Sequence, residues 1–402
     1  MVKYLLRRRA YFVAPEIPFD LMIEILTRLP AKSLMRFRCV SKLWSCLIRS
    51  RYFSNLYHTV SSSRPQPLGL YMSLNSVHWA RHLKCDSMEL CHNPGKSDLL
   101  SLRLSSSSSN SAESSLEIDL NFPGMEGHMM FVLRGLILYT ICRKACIYNP
   151  ATRQRLILPA VKSNIFAQQV PNKRVCNFFG HDPINDQYKI LCIVVLNSKH
   201  RLTSEYWVFV VEPGGFWKRI EHDDDQPRFP TRQGPCINGV IYYLASSFTC
   251  QDKVYCFDVR FEEFRVIQVP SEVSKYAYSV GFIEHGGKPA IFDFTRIRET
   301  GVSELWVLEM NGGTWSRKSL VLKLCQKHLV DDVNIMNLRM HDTGQNNEVI
   351  LALPNTCYLL YYDLIKNDLR KVDINRESPP DQRLNIYVKL MDKGENIMPL
   401  EI

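Results

Sequence analysis

Apolar residues recur in two different rhythms along this chain. Between residues 17 and 53 the rhythm is helical. Leu21, Ile25 and Leu29 stand at i, i+4 and i+8 with Leu26 beside them, which predicts one apolar stripe along a helix. Pro18 suits the first turn of that helix, and Asp20 sits where the helix dipole favours an anion. Pro30 stops it. Leu34 and Phe37 belong to a second short helix. Ser41 can cap a third, on which Trp44, Leu47 and Ile48 share a face. Three helices in about 35 residues bury too little to stand alone. Part of their apolar surface must meet a partner, within the chain or outside it.

From about residue 68 the rhythm is that of strands. An apolar run ends in a polar or glycine turn, and a second strand follows. The instances begin at Ile147-Tyr148-Asn149-Pro150, Trp207-Val208-Phe209-Val210, Val254-Tyr255-Cys256-Phe257-Asp258, Leu305-Trp306-Val307-Leu308 and Leu359-Leu360-Tyr361-Tyr362-Asp363. Their starts lie roughly 47 to 60 residues apart, near or above the ~40–50 residues of a four-stranded propeller blade. Five hairpins plus the material at 68–120 predict about six blades. Stacked β-sandwiches or one irregular β-domain are the alternatives, and the even spacing favours radial repetition. The fold class is therefore α+β and multidomain: a small three-helix unit, then an all-β propeller-like domain.

Composition narrows the class. The chain has 402 residues, 46% hydrophobic and 22% charged, ordinary values for a soluble globular protein. No apolar run approaches the ~20 residues that span a bilayer, and Arg7–Arg9 follow rather than precede an apolar stretch, the wrong order for a secretory signal. The 13 cysteines are scattered, many inside apolar runs, which predicts reduced and mostly buried thiols and a cytoplasmic or nuclear location. Of the net charge of +10, residues 1–53 carry +8 and the rest only +2. The basic character belongs to the helical unit, so an acidic protein partner fits at least as well as nucleic acid.

The run Ile17-Pro18-Phe19-Asp20-Leu21, Glu24-Ile25-Leu26, Arg28-Leu29-Pro30, Lys32-Ser33-Leu34, Arg36-Phe37-Arg38-Cys39-Val40-Ser41-Lys42 and Trp44 resembles the F-box, the motif by which ubiquitin-ligase substrate receptors bind a Skp-type adaptor. Asn149-Pro150-Ala151-Thr152-Arg153-Gln154, Phe179-Gly180-His181-Asp182-Pro183-Ile184 and Asn238-Gly239-Val240-Ile241-Tyr242-Tyr243 resemble a plant F-box-associated domain, nearest its type 3 version. The Gly-Gly pairs at 214–215 and 312–313 precede a tryptophan too closely for kelch repeats. The resemblance implies a basic tail (1–14), an F-box (15–55), a linker (56–67), an F-box-associated β-domain (68–378) and a C-terminal tail (379–402). It further implies adaptor contacts at Ile17, Pro18, Leu21, Ile25, Leu29, Pro30 and Leu34, and a helical core of Leu26, Phe37, Val40, Trp44 and Leu47. The basic residues Arg28, Lys32, Arg36, Arg38 and Lys42 would steer an acidic adaptor or simply be solvated.

Other candidate chemistry is thin. His78, His82, Cys85, Cys91 and His92 match no common zinc spacing. Cys142 and Cys146 flank Arg143-Lys144 but lie in a strand-like run, and Asp223–Asp225 read as a solvated loop. No nucleophile elbow, phosphate loop or His-Glu-x-x-His occurs. The tryptophans at 207, 217, 306 and 315 read as sheet packing rather than base stacking. The expectation is a non-enzymatic substrate receptor without cofactor, metal, nucleic acid or membrane. It would reach a cullin and RING subunit through the adaptor and hold an unknown target protein, through loops such as those near 160–175, 222–235 or 295–303. An adaptor-binding protein without ligase activity, or a propeller for a carbohydrate or RNA ligand, are the alternatives.

Overall fold

A computed structural model describes residues 17–63, 69–76, 97–106, 114–122, 128–141, 143–168, 173–197, 202–221, 229–246, 252–274, 279–309, 313–331, 338–342, 348–353, 356–375, 386–392 and 394–400. The basic tail, the His78–His92 cluster, Cys142 and Asp223–Asp225 lie outside them. No helix among the described residues is long and apolar enough to cross a membrane.

The helical unit holds four helices, not three: α1 (Phe19–Thr27), α2 (Ala31–Phe37), α3 (Lys42–Arg49) and α4 (Arg51–Ser62). Ser41 caps α3 by accepting from the Trp44 N–H at 3.1 Å. Ser50 caps α4 in the same way, accepting from the Phe53 N–H at 3.2 Å. The α4 helix runs through the expected start of the linker. Its signal was present: Phe53, Tyr57 and Val60 follow a serine cap at helical spacing.

Among the described residues twenty-four strands follow, in six groups of four. In chain order they are β1 (Gly69–Ser76), β2 (Ser97–Ser106) and β3 (Ser114–Phe122); β4 (His128–Leu133), β5 (Leu136–Ile141), β6 (Lys144–Asn149) and β7 (Gln154–Ile157); β8 (Lys173–Asp182), β9 (Gln187–Asn197), β10 (Leu202–Val210) and β11 (Trp217–Ile220); β12 (Phe229–Ile237), β13 (Val240–Ser246), β14 (Lys253–Asp258) and β15 (Glu263–Gln268); β16 (Val280–His285), β17 (Lys288–Asp293), β18 (Val302–Leu308) and β19 (Trp315–Val321); β20 (Arg339–Asp342), β21 (Glu348–Ala352), β22 (Tyr358–Asp363) and β23 (Asp368–Asn375); and β24 (Ile386–Asp392). Within each group neighbouring strands pair antiparallel. The innermost strands β4, β8, β12, β16, β20 and β24 touch in turn and return to β4. That ring is a six-bladed propeller.

The ring closes with the chain's last strand. β24 pairs with β1, so one blade combines strands from both ends of the domain. The expected C-terminal tail is therefore a blade strand followed by a packed segment, and the missing partner of β1 is what draws it in.

Blade turns share one local device. Asn149, Asp258 and Asp363 each end a third strand, and each side-chain oxygen accepts two backbone N–H groups of the turn that follows. The turns finish on Arg153, Glu262 and Asn367 at positive φ. Asp182 starts the same turn between β8 and β9, accepting from the Ile184 N–H at 2.9 Å, and there the positive-φ residue is Asp186.

Core packing lies between blades. Phe178, Leu191 and Ile193 of one blade meet Ile241, Tyr243 and Phe257 of the next. Trp217 and Trp315 open the outer strands β11 and β19, and each donates its indole N–H to the preceding blade's edge, at Pro159 O (2.7 Å) and Gln268 O (2.9 Å). The described cysteines are free thiols. Cys146, Cys176, Cys192 and Cys256 are buried, whereas Cys39, Cys46, Cys325 and Cys357 are exposed, so burial is less general than the sequence suggested. Burial pushes the Cys256 thiol up to about 11 and Cys176 to about 12.

Candidate interaction site

The α1 helix is apolar on two sides. Met22 and Leu26 point inward and pack with Ala31, Leu34, Leu47, Ile48, Phe53 and Tyr57. Leu21 and Ile25 point outward and are 50% and 49% exposed. Ile17 and Phe19 extend that outward patch, and Pro18 is exposed beside them. Leu29 is half-buried, and Pro30 is exposed at the start of α2.

Two sequence assignments need correcting. Leu34 is fully buried and packs the helical core, so it has no surface to offer an adaptor. Val40 is 59% exposed in the turn before α3, so it is not a core residue. Leu26 and Leu47 are buried, and Phe37 and Trp44 are half-buried with ring centroids 5.3 Å apart. Leu43 and Tyr52 are further exposed apolar residues on α3 and α4, which the sequence reading did not single out.

The other side of the unit is fastened to the propeller. Asp186, held in the left-handed region in the β8–β9 turn, accepts hydrogen bonds from Arg51 Nε (2.9 Å) and the Asn55 amide. Its second oxygen lies 2.8 Å from His181 Nε2 and 3.5 Å from Arg134 Nη1. Burial pushes the Asp186 carboxyl up, but hydrogen bonds from Asn55, His181 and Arg51 outweigh it and hold the group below its ordinary value. Burial depresses His181, with the Arg134 charge acting in the same direction against the Asp186 hydrogen bond. Nearby, burial and then Arg134 lower His58 on α4 to about 4, and its Nδ1 is buried with no hydrogen-bond partner among the described residues.

The segment after β24 is the second fastening. Glu395 accepts from the Tyr57 hydroxyl and from the Ala31 N–H at 3.3 Å, both in the helical unit. Asn396 donates to Arg134 O at 2.7 Å. Ile397 is 2% exposed inside the helical core. Gly135 and Gly394 cross so closely that a Cβ on Gly135 would fall 2.7 Å from Gly394 O. Sequence reasoning missed this strap because these hydrogen-bond partners lie 262 to 364 residues away and carry no periodic pattern.

The arrangement is a helical unit with one apolar face free, clamped by its other side to one end of a six-bladed propeller. Residues 15–56 match the F-box domain, and residues 89–393 match the F-box associated beta propeller domain. A putative F-box protein of Arabidopsis thaliana is 59% identical over 362 residues, covering 90% of each chain. Another F-box protein of Arabidopsis thaliana is 39% identical over 403 residues, covering 96% of this chain and 94% of the relative. The chain belongs to the plant F-box proteins that carry an F-box-associated propeller domain.

Proposed function

We propose that this protein is the substrate-recognition subunit of a cullin-RING ubiquitin ligase. The outward face of α1, with Ile17, Pro18, Leu21, Ile25 and Pro30, docks on a Skp-type adaptor, with Leu29 partly at that contact. The observation that carries this reading is the pair Leu21 and Ile25, half exposed on a helix whose opposite side is already packed. Exposed apolar side chains grouped on one helix face mark a protein interface. The exposed cations Lys32, Arg36 and Lys42 sit on the same small unit and would speed encounter with an acidic partner.

The propeller's role is to hold a target near the charged ubiquitin enzyme. Rate enhancement then comes from effective concentration, and no residue of this chain performs bond chemistry. The clamp at Asp186 and Glu395 gives that tethering a fixed geometry, since it ties helix positions 51–57 to two separate parts of the propeller.

Co-purification with a tagged Skp-type adaptor tests the reading. Wild type should be captured together with cullin, and the Leu21→Asp, Ile25→Asp double variant should be lost while its propeller melts normally. Capture of adaptor without cullin would instead favour a non-ligase interaction protein. A folded wild-type chain that captures no adaptor would end the ubiquitin reading.

A further inference from the structure

The β-domain as a whole is nearly neutral, but its charge is not evenly spread. Between Glu126 and Asp182 there is no acidic residue, while Arg134, Arg143, Lys144, Arg153, Arg155, Lys162, Lys173 and Arg174 supply eight cations. Propeller topology sorts these by height. Arg134 and Arg153 lie in the β4–β5 and β6–β7 turns, at the end of the ring where the F-box is fastened. Arg143, Lys144, Lys162, Lys173 and Arg174 lie at the opposite end, in the β5–β6 turn, the β7–β8 connection and the start of β8. The β8 strand alone, from Lys173 to Asp182, separates the two ends by ~30 Å.

The five cations of the far end lie on neighbouring elements of two adjacent blades. Val161 and Ile165 pack the connection down against Cys192, Val194 and Leu196 of β9, which leaves Lys162 exposed between them. The Arg143 guanidinium lies 4.3 Å from the centroid of the Phe166 ring. Lys173 donates to Phe166 O at 3.4 Å. Arg174 lies 4.8 Å from the centroid of the Phe229 ring, on the next blade. Aromatic faces thus hold both guanidinium groups in place, which lowers the entropy a ligand must remove. Among the described residues none of the five cations forms an ion pair, in contrast to Lys189, Lys218, Arg317 and Lys323 elsewhere on the propeller. Among the described residues the rim's charge is unpaired and partly preorganised, on the end that the F-box leaves free.

We propose that this rim receives an acidic segment of a target protein, its carboxylates paired with Arg143, Lys162 and Arg174. As a role in ubiquitination this rests on the receptor reading above, while the binding itself does not. The connections expected to bind targets, 160–175, 222–235 and 295–303, join β7 to β8, β11 to β12 and β17 to β18, strands whose joined ends lie on this same side.

The test is fluorescence anisotropy on the full chain, alone and with adaptor bound, using a fluorescein-labelled Glu-Ser repeat peptide and its Gln-Ser counterpart. The Glu-Ser peptide should bind and the Gln-Ser peptide should not. Affinity should fall by about tenfold or more in the Arg143→Glu, Lys162→Glu, Arg174→Glu triple variant, and likewise as salt is raised to ~0.5 M. Arg260→Glu with Lys366→Glu, in turns at the F-box end, should leave affinity unchanged. All these positions are exposed, so equal melting temperatures will establish that the variants are folded. No binding of the Glu-Ser peptide, or equal binding by the triple variant, overturns the proposal. Tighter binding of a matched single-stranded RNA, lost in the triple variant, overturns it in favour of nucleic acid. Adaptor capture is read separately in the same samples, so loss of the receptor reading and loss of the rim are distinct results.

Discussion

The α1 helix and the β9 strand are both strongly apolar, and they end in opposite circumstances. β9 buries nine consecutive residues, Tyr188 to Leu196, because a propeller blade is sandwiched between its neighbours and both of its faces find cover. α1 buries Met22 and Leu26 and leaves Phe19, Leu21 and Ile25 about half in water. The blade interiors satisfy their apolar residues within the chain, down to drawing in β24 to complete the last blade, while Phe216, Phe261 and Leu324 stay exposed in the connections. The F-box keeps a remainder. That difference separates a strand whose two faces are both covered within the chain from a helix that keeps one apolar face in water.

The comparison breaks most visibly where a side chain in the propeller core is removed. Phe257 is fully buried against the adjacent blade. Phe257→Ala should cost about 3–5 kcal/mol, read as a large fall in Tm. Leu21→Ala or Ile25→Ala should change stability by less than about 0.5–1 kcal/mol while weakening adaptor capture.

The joint between the two regions comes next. Asp186→Asn keeps a residue that tolerates the left-handed turn but removes the charge facing Arg51 and Arg134. It should cost about 1–3 kcal/mol and raise hydrogen exchange in α4 more than in β9. Ser41→Ala removes only a helix cap and should cost about 1 kcal/mol, confined to α3 in the same exchange experiment.

Acid probes the joint through His58. Its folded pKa of about 4 lies below its ordinary 6.5, so the unfolded chain binds the proton first as pH falls. The stability linked to His58 is complete above pH 6.5 and is lost progressively down to about pH 4. His58→Gln should weaken the dependence of Tm on pH over that window, with the depressed His181 and His285 keeping the rest. Asp186 titrates below 3.8 and leaves the upper part of the window unchanged.

How much of this was readable beforehand follows from the same physics. Three of the blades were legible because they end an apolar strand on Asn149, Asp258 or Asp363, residues whose side chains build the turn locally. The F-box was legible as a helical unit, and the stripe Leu21, Ile25 and Leu29, assigned to the adaptor contact, mostly points outward. A helix apolar on two sides satisfies a periodic pattern in either register, and only packing selects Met22 and Leu26 for the inside. Leu34 and Val40 were exchanged for a similar reason: position in a motif does not fix burial. The strap at Glu395 to Ile397 was invisible because its meaning depends on contacts with residues 31, 57 and 134.

The most direct measurement is hydroxyl-radical footprinting of α1 with and without bound adaptor. Leu21 and Ile25 should be labelled in the free protein and protected in the complex, while the neighbouring Leu26 stays unlabelled in both. Persistent labelling of Leu21 and Ile25 in a stable adaptor complex would contradict the account and place the adaptor contact elsewhere on the chain.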